Sequence, residues 1–282
     1  TGLSAIFPPQ YMQMVMLGQA VAGVFSSILS ILCQAATDNA LINGRIYFGV
    51  AIAWTILSVL CYFWLVQTEH AQMHLARSSE PRLLLSDDEG DDESVRVVRS
   101  LQPIEQPSLW KTYGEVFSQS KVEMLLCGLI LVGTLAAFPA VGSLVRTQAT
   151  NPVWRAYFSS ICCFLMFNIC DALGRITASR VEISRSLLVK LCFSRLILVP
   201  LIALCDVHPR FHTPTLLRFD VVFIFLNMAL AFSQGFCITH ATVKAVCAVR
   251  EHRESAGSLI SLFCVFSALA GSILGVALVA IL

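Results

Sequence analysis

Charge is scarce in this sequence. Asp, Glu, Lys and Arg make up 13% of its 282 residues, against roughly 25% in a soluble domain. The formal net charge is +1, so there is no basic surplus to neutralise phosphates and nucleic acid is excluded as a partner. The eleven cysteines contain no Cys-x-x-Cys and no Cys/His spacing that suits a metal. Most fall inside apolar runs and read as small buried hydrophobes, so no metal and no cofactor is expected. His208 and His212 are too isolated for a metal site. There is no Asn-x-Ser/Thr acceptor, which leaves this portion without an expected N-glycan. No basic stretch precedes the first apolar run, and further runs follow it at once, so it does not read as a cleaved leader.

Apolar residues fill the space that charge leaves. Hydrophobic residues reach 56% and the mean hydropathy is +0.74, which predicts an all-α integral membrane bundle surrounded by lipid. Apolar runs near the bilayer-spanning length fall at seven places: Tyr11 to Gln34, Tyr47 to Val66, Met124 to Val145, Trp154 to Leu173, Leu187 to Cys205, Val221 to Val243 and Gly257 to Leu282. The chain opens on Thr1, and Thr1 to Pro9 reads as the tail of an earlier span ended by Pro8 and Pro9, which predicts an amino-terminal truncation.

The distribution of Lys and Arg sets the orientation. With the start of the chain in the cytoplasm, most cations, including Arg96, Lys111, Lys121, Arg180, Arg185 and Lys244, lie on the inner side. The outer side keeps Arg45, Arg146, Arg155, Arg210 and Arg218, and the carboxyl terminus is outside. Tyr62 with Trp64, and Trp154 with Tyr157, then sit at interfacial depth. A seven-span receptor needs the opposite orientation, an Asp/Glu-Arg-Tyr helix end and an Asn-Pro-x-x-Tyr run, and the sequence has neither motif.

A polar segment over 67–121 separates two spans at 11–66 from five at 122–282, after a tail at 1–10. Its SDDEGDDES run from Ser86 to Ser94 packs like charges too densely to bury apolar surface, so a disordered cytoplasmic loop is expected. Ser86 has the acidic followers of an acidophilic-kinase site. Glu80 to Leu85 has the form of an acidic dileucine signal, making Leu84 and Leu85 the contacts for a sorting adaptor. The competing reading is a plain solvated linker.

The fourth span carries the polar chemistry. Asn168, Asp171 and Arg175 fall at i, i+3 and i+7, on one helix face. A charge at bilayer depth costs at least about 2.5–3.5 kcal/mol, so this face needs partners or a water-filled path. Asp171 and Arg175 at i, i+4 also suit simple mutual neutralisation; Asn168 adds a third polar group that neutralisation does not require. Among weaker intrusions, Gln19 lies in the small-residue run Gly18 to Gly23 and is expected to pack. Arg195, ahead of Pro200, is expected to snorkel or to pair with Asp171. Ser233, Gln234 and Gly235 suggest an unwound or closely packed backbone, and His240 reads as a structural donor rather than a proton relay.

The run FNICDALGR at Phe167 to Arg175 resembles the signature helix of the equilibrative nucleoside transporters, a solute-carrier family. The similarity continues in order through PPQYMQMVMLGQAVAG at Pro8 to Gly23, FPAV at Phe138 to Val141, MFN at Met166 to Asn168 and RLILVP at Arg195 to Pro200. FSQG at Phe232 to Gly235 and ESAGSLISLF at Glu254 to Phe263 complete it. The resemblance implies a major-facilitator-like carrier of eleven spans, of which these are the fifth to eleventh, and a non-enzymatic function: facilitated nucleoside transport by alternating access.

It further implies that Asn168, Asp171 and Arg175 contact substrate, that Phe138 and Phe164 are pocket aromatics, and that Ala268 is an apolar contact in the last span. The plasma membrane is the expected location. A proton-linked lysosomal or endosomal member is the alternative, suggested by Glu80 to Leu85 and His240, as is a carrier of nucleobases or organic cations. Two departures bear on selectivity: Gln234 stands where many members have Asn, and Ala268 is small.

Overall fold

A computed structural model describes residues 8–37, 39–69, 71–73, 109–210, 215–249 and 253–282. Leu84, Leu85, Ser86 and His212 lie outside the described residues. Among the described residues seven helices are long and apolar enough to cross a membrane, and the chain is a multi-pass α-helical membrane protein. They are α1 (Pro9–Ala36), α2 (Ala40–Gln67), α3 (Leu109–Ala137), α4 (Pro152–Arg180), α5 (Arg185–Ala203), α6 (Asp220–Ala248) and α7 (Arg253–Ile281).

Helix ends follow local chemistry. Pro9 opens α1 at a first-turn position where a missing N–H costs nothing. Asn39 caps α2, Asn151 caps α4 and Ser184 caps α5, each side chain accepting from free first-turn N–H groups. Helix α3 starts at Leu109, inside the segment read from sequence as loop to residue 121 and well before the expected span start at Met124. The correction has a physical cause: the added turns are polar outside, yet Thr112, Val116 and Ser120 form a buried stripe at four-residue spacing. A hydropathy window registers only the lipid-facing part of such a helix.

Helix α2 has no buried residue. It leans on α1 through the stacked Phe25 and Trp54 rings, with centroids 4.7 Å apart, and through a 2.6 Å hydrogen bond between the Ser26 and Tyr47 hydroxyls. The other helices pack closely because small residues let backbones meet. On α7, Ser267, Gly271 and Gly275 recur every four residues against α3: a Cβ on Gly271 would lie 2.9 Å from Val132 Cα, and one on Gly275 would lie 2.8 Å from the Leu135 carbonyl.

The α4–α6 crossing is closer still. A Cβ on Gly174 would lie 2.3 Å from the Phe232 carbonyl, and one on Gly235 would lie 2.0 Å from the Asp171 carbonyl. Helix α6 passes through Ser233 to Gly235 without unwinding, so the closely packed alternative is the one realised.

Polar ties fasten the two ends of the bundle. At the Lys/Arg-rich end, Arg185 at the start of α5 holds the buried Glu123 of α3 with two nitrogens, at 2.8 and 3.1 Å. At the other end, Asp220 at the first turn of α6 accepts from the Thr147 hydroxyl and from the Gln148 N–H. Beside it, Arg146 N–H donates to the Asp206 carbonyl and His208 N–H to the Leu144 carbonyl, tying the α3–α4 and α5–α6 connections together.

The α4–α6 crossing gives a direct test. Gly235→Ala is expected to lower the thermal stability of the full-length protein by about 1–3 kcal/mol through overpacking, whereas Gly18→Ala, where an added Cβ meets nothing within 4 Å, leaves the melting temperature in detergent unchanged or slightly raised.

Candidate functional site

The polar face of α4 is held by a short stack of interactions. Arg175 Nε donates to Asp171 Oδ2 at 2.9 Å, an ion pair within one helix, and Arg175 Nη1 donates to the Met16 carbonyl of α1 at 3.0 Å. One turn away, Asn168 Nδ2 donates to Ser27 Oγ of α1 at 2.9 Å and to the Phe164 carbonyl at 3.0 Å. Ser27 in turn donates to the Gly23 carbonyl. Gly23 is what lets the Asn168 amide reach α1, because a Cβ there would stand 2.4 Å from Asn168 Oδ1. The GQAVAG run of α1 is thus a close-approach surface at Gly23, while Gln19 is exposed.

Asp171 is 5% exposed and only one of its carboxylate oxygens is satisfied. Oδ1 is buried and has no hydrogen-bond partner. A carboxylate in an apolar surround gains from every donor it can find, so this oxygen can accept a further hydrogen bond. In this conformation α1 and α6 close it off: Met16 takes Arg175 from one side and Gly235 abuts Asp171 from the other.

Three aromatic rings lie beside this face. Phe138, just beyond α3, stacks on Phe167 with centroids 3.8 Å apart and planes 3° apart, and meets Phe164 edge-on at 5.5 Å. Phe164 and Asn168 occupy successive turns of α4, so aromatic and polar groups adjoin. Ala268 is set apart from them on α7, half-buried, on a helix that packs chiefly on α3.

The remaining sequence candidates divide. Arg195 neither snorkels nor forms an ion pair with Asp171. It is 4% exposed, and its guanidinium is bound by neutral acceptors on α3 and α6, among them Thr134 and Gln234. The physical reason is position: Arg195 lies mid-bundle in a 3-10 turn, where Pro200 cannot donate to the Leu196 carbonyl and the helix tightens. His240 is buried with its ring edge-on to Phe236 at 4.7 Å, a packed histidine whose Nε2 has no partner. Outside the membrane-spanning helices, His208 bonds Asp206 at 3.0 Å.

Two features of the site went unread in the sequence. Residues Ser159–Leu165 of α4 form a π-helical segment directly ahead of the polar face. Such a wide turn misaligns carbonyls and frequently marks a functional position. Asn227 of α6, 1% exposed, repairs it by donating Nδ2 to both the Cys162 and Cys163 carbonyls at 3.0 Å. An asparagine in the apolar run FIFLNMALAF was the available signal.

The described residues form a multi-pass α-helical membrane bundle with a buried, incompletely satisfied polar face and adjoining aromatic rings. The comparisons with known proteins give the family. A model of the nucleoside transporter family matches residues 1–280. Equilibrative nucleoside transporter 2 of Homo sapiens is 30% identical over 93% of this chain and 63% of its own length. Equilibrative nucleoside transporter 1 of Homo sapiens is 31% identical over 93% of this chain and 60% of its own length. Equilibrative nucleoside transporter 3 of Rattus norvegicus is 26% identical over 93% of this chain and 56% of its own length. The chain belongs to the nucleoside transporter family, and it spans less than two thirds of the length of these relatives.

The Asn227 clamp is testable apart from any transport. Asn227→Leu leaves two carbonyls without their donor and is expected to cost about 1–3 kcal/mol, read as a lower melting temperature of the full-length protein; Ser233→Ala, which removes only a hydroxyl bonded to its own helix, is expected to have no measurable effect.

Proposed function

We propose that this chain is part of an equilibrative carrier that moves nucleosides across a membrane, with Asn168, Asp171 and Arg175 as the ribose-reading face and Phe138 with Phe164 as the apolar wall for the base. The observation that carries the reading is the unpartnered, buried Asp171 Oδ1 beside Arg175: it is an acceptor of the strength and position that suits a sugar hydroxyl. The named relatives are nucleoside transporters, which supports the same cargo. Ala268 is a more distant apolar contributor in this reading, and no covalent step or cofactor enters it.

Recognition through buried polar groups has a selective consequence. A site built to pair a hydroxyl rejects an analogue that lacks it, because its own groups are then left unpaired. Nucleosides that retain their ribose hydroxyls are favoured on this account.

Transport itself proceeds in this reading by alternating access, with rocking between a bundle that contains α1 and α2 and a bundle made of α3 to α7, the acidic segment lying between them. The seam is the α1–α4 contact. Four hydrogen bonds cross it among the described residues, from Asn168 to Ser27, Arg175 to the Met16 carbonyl, Gln34 to the Ala156 carbonyl and Ser160 to Gln34 Oε1, and a seam of single hydrogen bonds with no ion pair among them can open. Separation of α1 from α4 frees Arg175 Nη1 and Asn168 for substrate, which then replaces the lost partners.

In the full-length protein, Asp171→Asn and Arg175→Ala are each expected to abolish saturable uridine uptake at unchanged surface expression. Wild-type uptake in both variants contradicts the assignment.

A further inference from the structure

Arg195 is the second cation of the bundle core, and its surroundings are unlike those of Arg175. Of the five N–H donors on a guanidinium, four are used, all on neutral partners from two other helices. Nη1 donates to the Ile130 carbonyl and to Gln234 Oε1, both at 3.2 Å; Nη2 donates to Thr134 Oγ1 at 2.7 Å and to the Leu230 carbonyl at 3.2 Å. Nε is buried without a partner. Gln234 Oε1 also lies 2.6 Å from Thr134 Oγ1. One side chain from each of α3, α5 and α6 therefore meets at a single buried node.

No carboxylate lies within ion-pairing distance of Arg195 among the described residues, and a buried cation without one is costly to keep. Its neighbourhood explains why it is retained. Gln234 directly precedes Gly235, the residue whose backbone abuts Asp171 so closely that a Cβ there would fall 2.0 Å from the Asp171 carbonyl and 3.0 Å from Oδ1. Whatever fixes the rotation of α6 at Gln234 fixes the surface against which the Asp171 carboxylate rests.

We infer that Arg195, with Thr134 and Gln234, forms a positioning node that sets the Asp171 carboxylate for ribose recognition by holding α6 in register through Gly235. The inference rests on the proposed nucleoside reading of Asp171. Arg195 is a positioning residue and does not touch substrate. Its three-helix grip has a further consequence: movement of α3 or α5 relative to α6 changes the node before it changes the site, so the affinity of Asp171 for a hydroxyl is tied to the state of the bundle.

The test compares uptake of uridine and 2′,3′-dideoxyuridine by the full-length protein, normalised to surface protein. For Arg195→Gln the KM for uridine is expected to rise about tenfold, the loss of roughly one well-placed hydrogen bond, while the KM for the dideoxy analogue stays unchanged, so that discrimination collapses. Arg195→Lys, which keeps the charge and part of the donor set, is expected to restore discrimination in part. A purely structural role weakens both substrates alike, and that result, or no change in either, overturns the inference. If Arg195→Gln does not reach the surface, Thr134→Val decides: it removes the hydroxyl that accepts from Nη2 and bonds Gln234 and is expected to erode discrimination in the same direction, whereas full discrimination in Thr134→Val is contrary. Asp171→Asn separates the two levels. Saturable uridine uptake that survives in Asp171→Asn sinks the nucleoside reading itself; uptake lost there, with full discrimination in Arg195→Gln, sinks only the node.

Discussion

A carboxylate and a guanidinium share one turn of α4 at bilayer depth, and the packing around them is arranged to accommodate that. Alone, either charge would cost several kcal/mol to bury. Together at i, i+4 they neutralise each other through the 2.9 Å contact of Arg175 Nε with Asp171 Oδ2. The pair is still incomplete, because Oδ1 has no donor. Removing one partner from such a pair leaves the other as an uncompensated buried charge, a loss of about 3–5 kcal/mol. Arg175 and Asp171 thus neutralise each other while one carboxylate oxygen is left without a donor.

The neighbouring helices respond to that arrangement in different ways. Helix α1 supplies a carbonyl to Arg175 and a hydroxyl to Asn168, two single bonds that can be broken and replaced. Helix α6 brings its backbone at Gly235 against Asp171, and one residue earlier Gln234 is bonded to Thr134 and Arg195. One flank of the site is held by contacts that exchange easily, and the other by a node spanning three helices. A site that must both bind and release benefits from that asymmetry.

The spans and the polar face were legible in the sequence because both are local. Length and apolarity locate each helix, and the spacing of Asn168, Asp171 and Arg175 already puts them on one face. The family resemblance singled out Phe138 and Phe164 as pocket aromatics but gave no sign that Phe138 stacks on Phe167. What stayed hidden depends on distant partners or on departures from regular geometry. The early start of α3 is masked because Thr112, Val116 and Ser120 bury a stripe among polar neighbours. The π-helical turn at Ser159–Leu165 breaks the 3.6-residue period that face arguments assume, and its donor, Asn227, lies on another helix. Arg195 was misplaced for the same reason: its acceptors come from Ile130, Thr134, Leu230 and Gln234, none of which is local to it.

The central claim is that Asp171 Oδ1 is the vacant acceptor for a ribose hydroxyl. The most direct measurement is an experimental structure of the full-length protein with uridine bound. The account predicts a ribose hydroxyl at ordinary hydrogen-bond distance from Asp171 Oδ1, about 2.7 Å, with the α1–α4 bonds of Asn168 and Arg175 broken or re-formed on the substrate. Uridine seated elsewhere in the protein, with Oδ1 still unpartnered and the bonds of Asn168 and Arg175 to α1 intact, would contradict it.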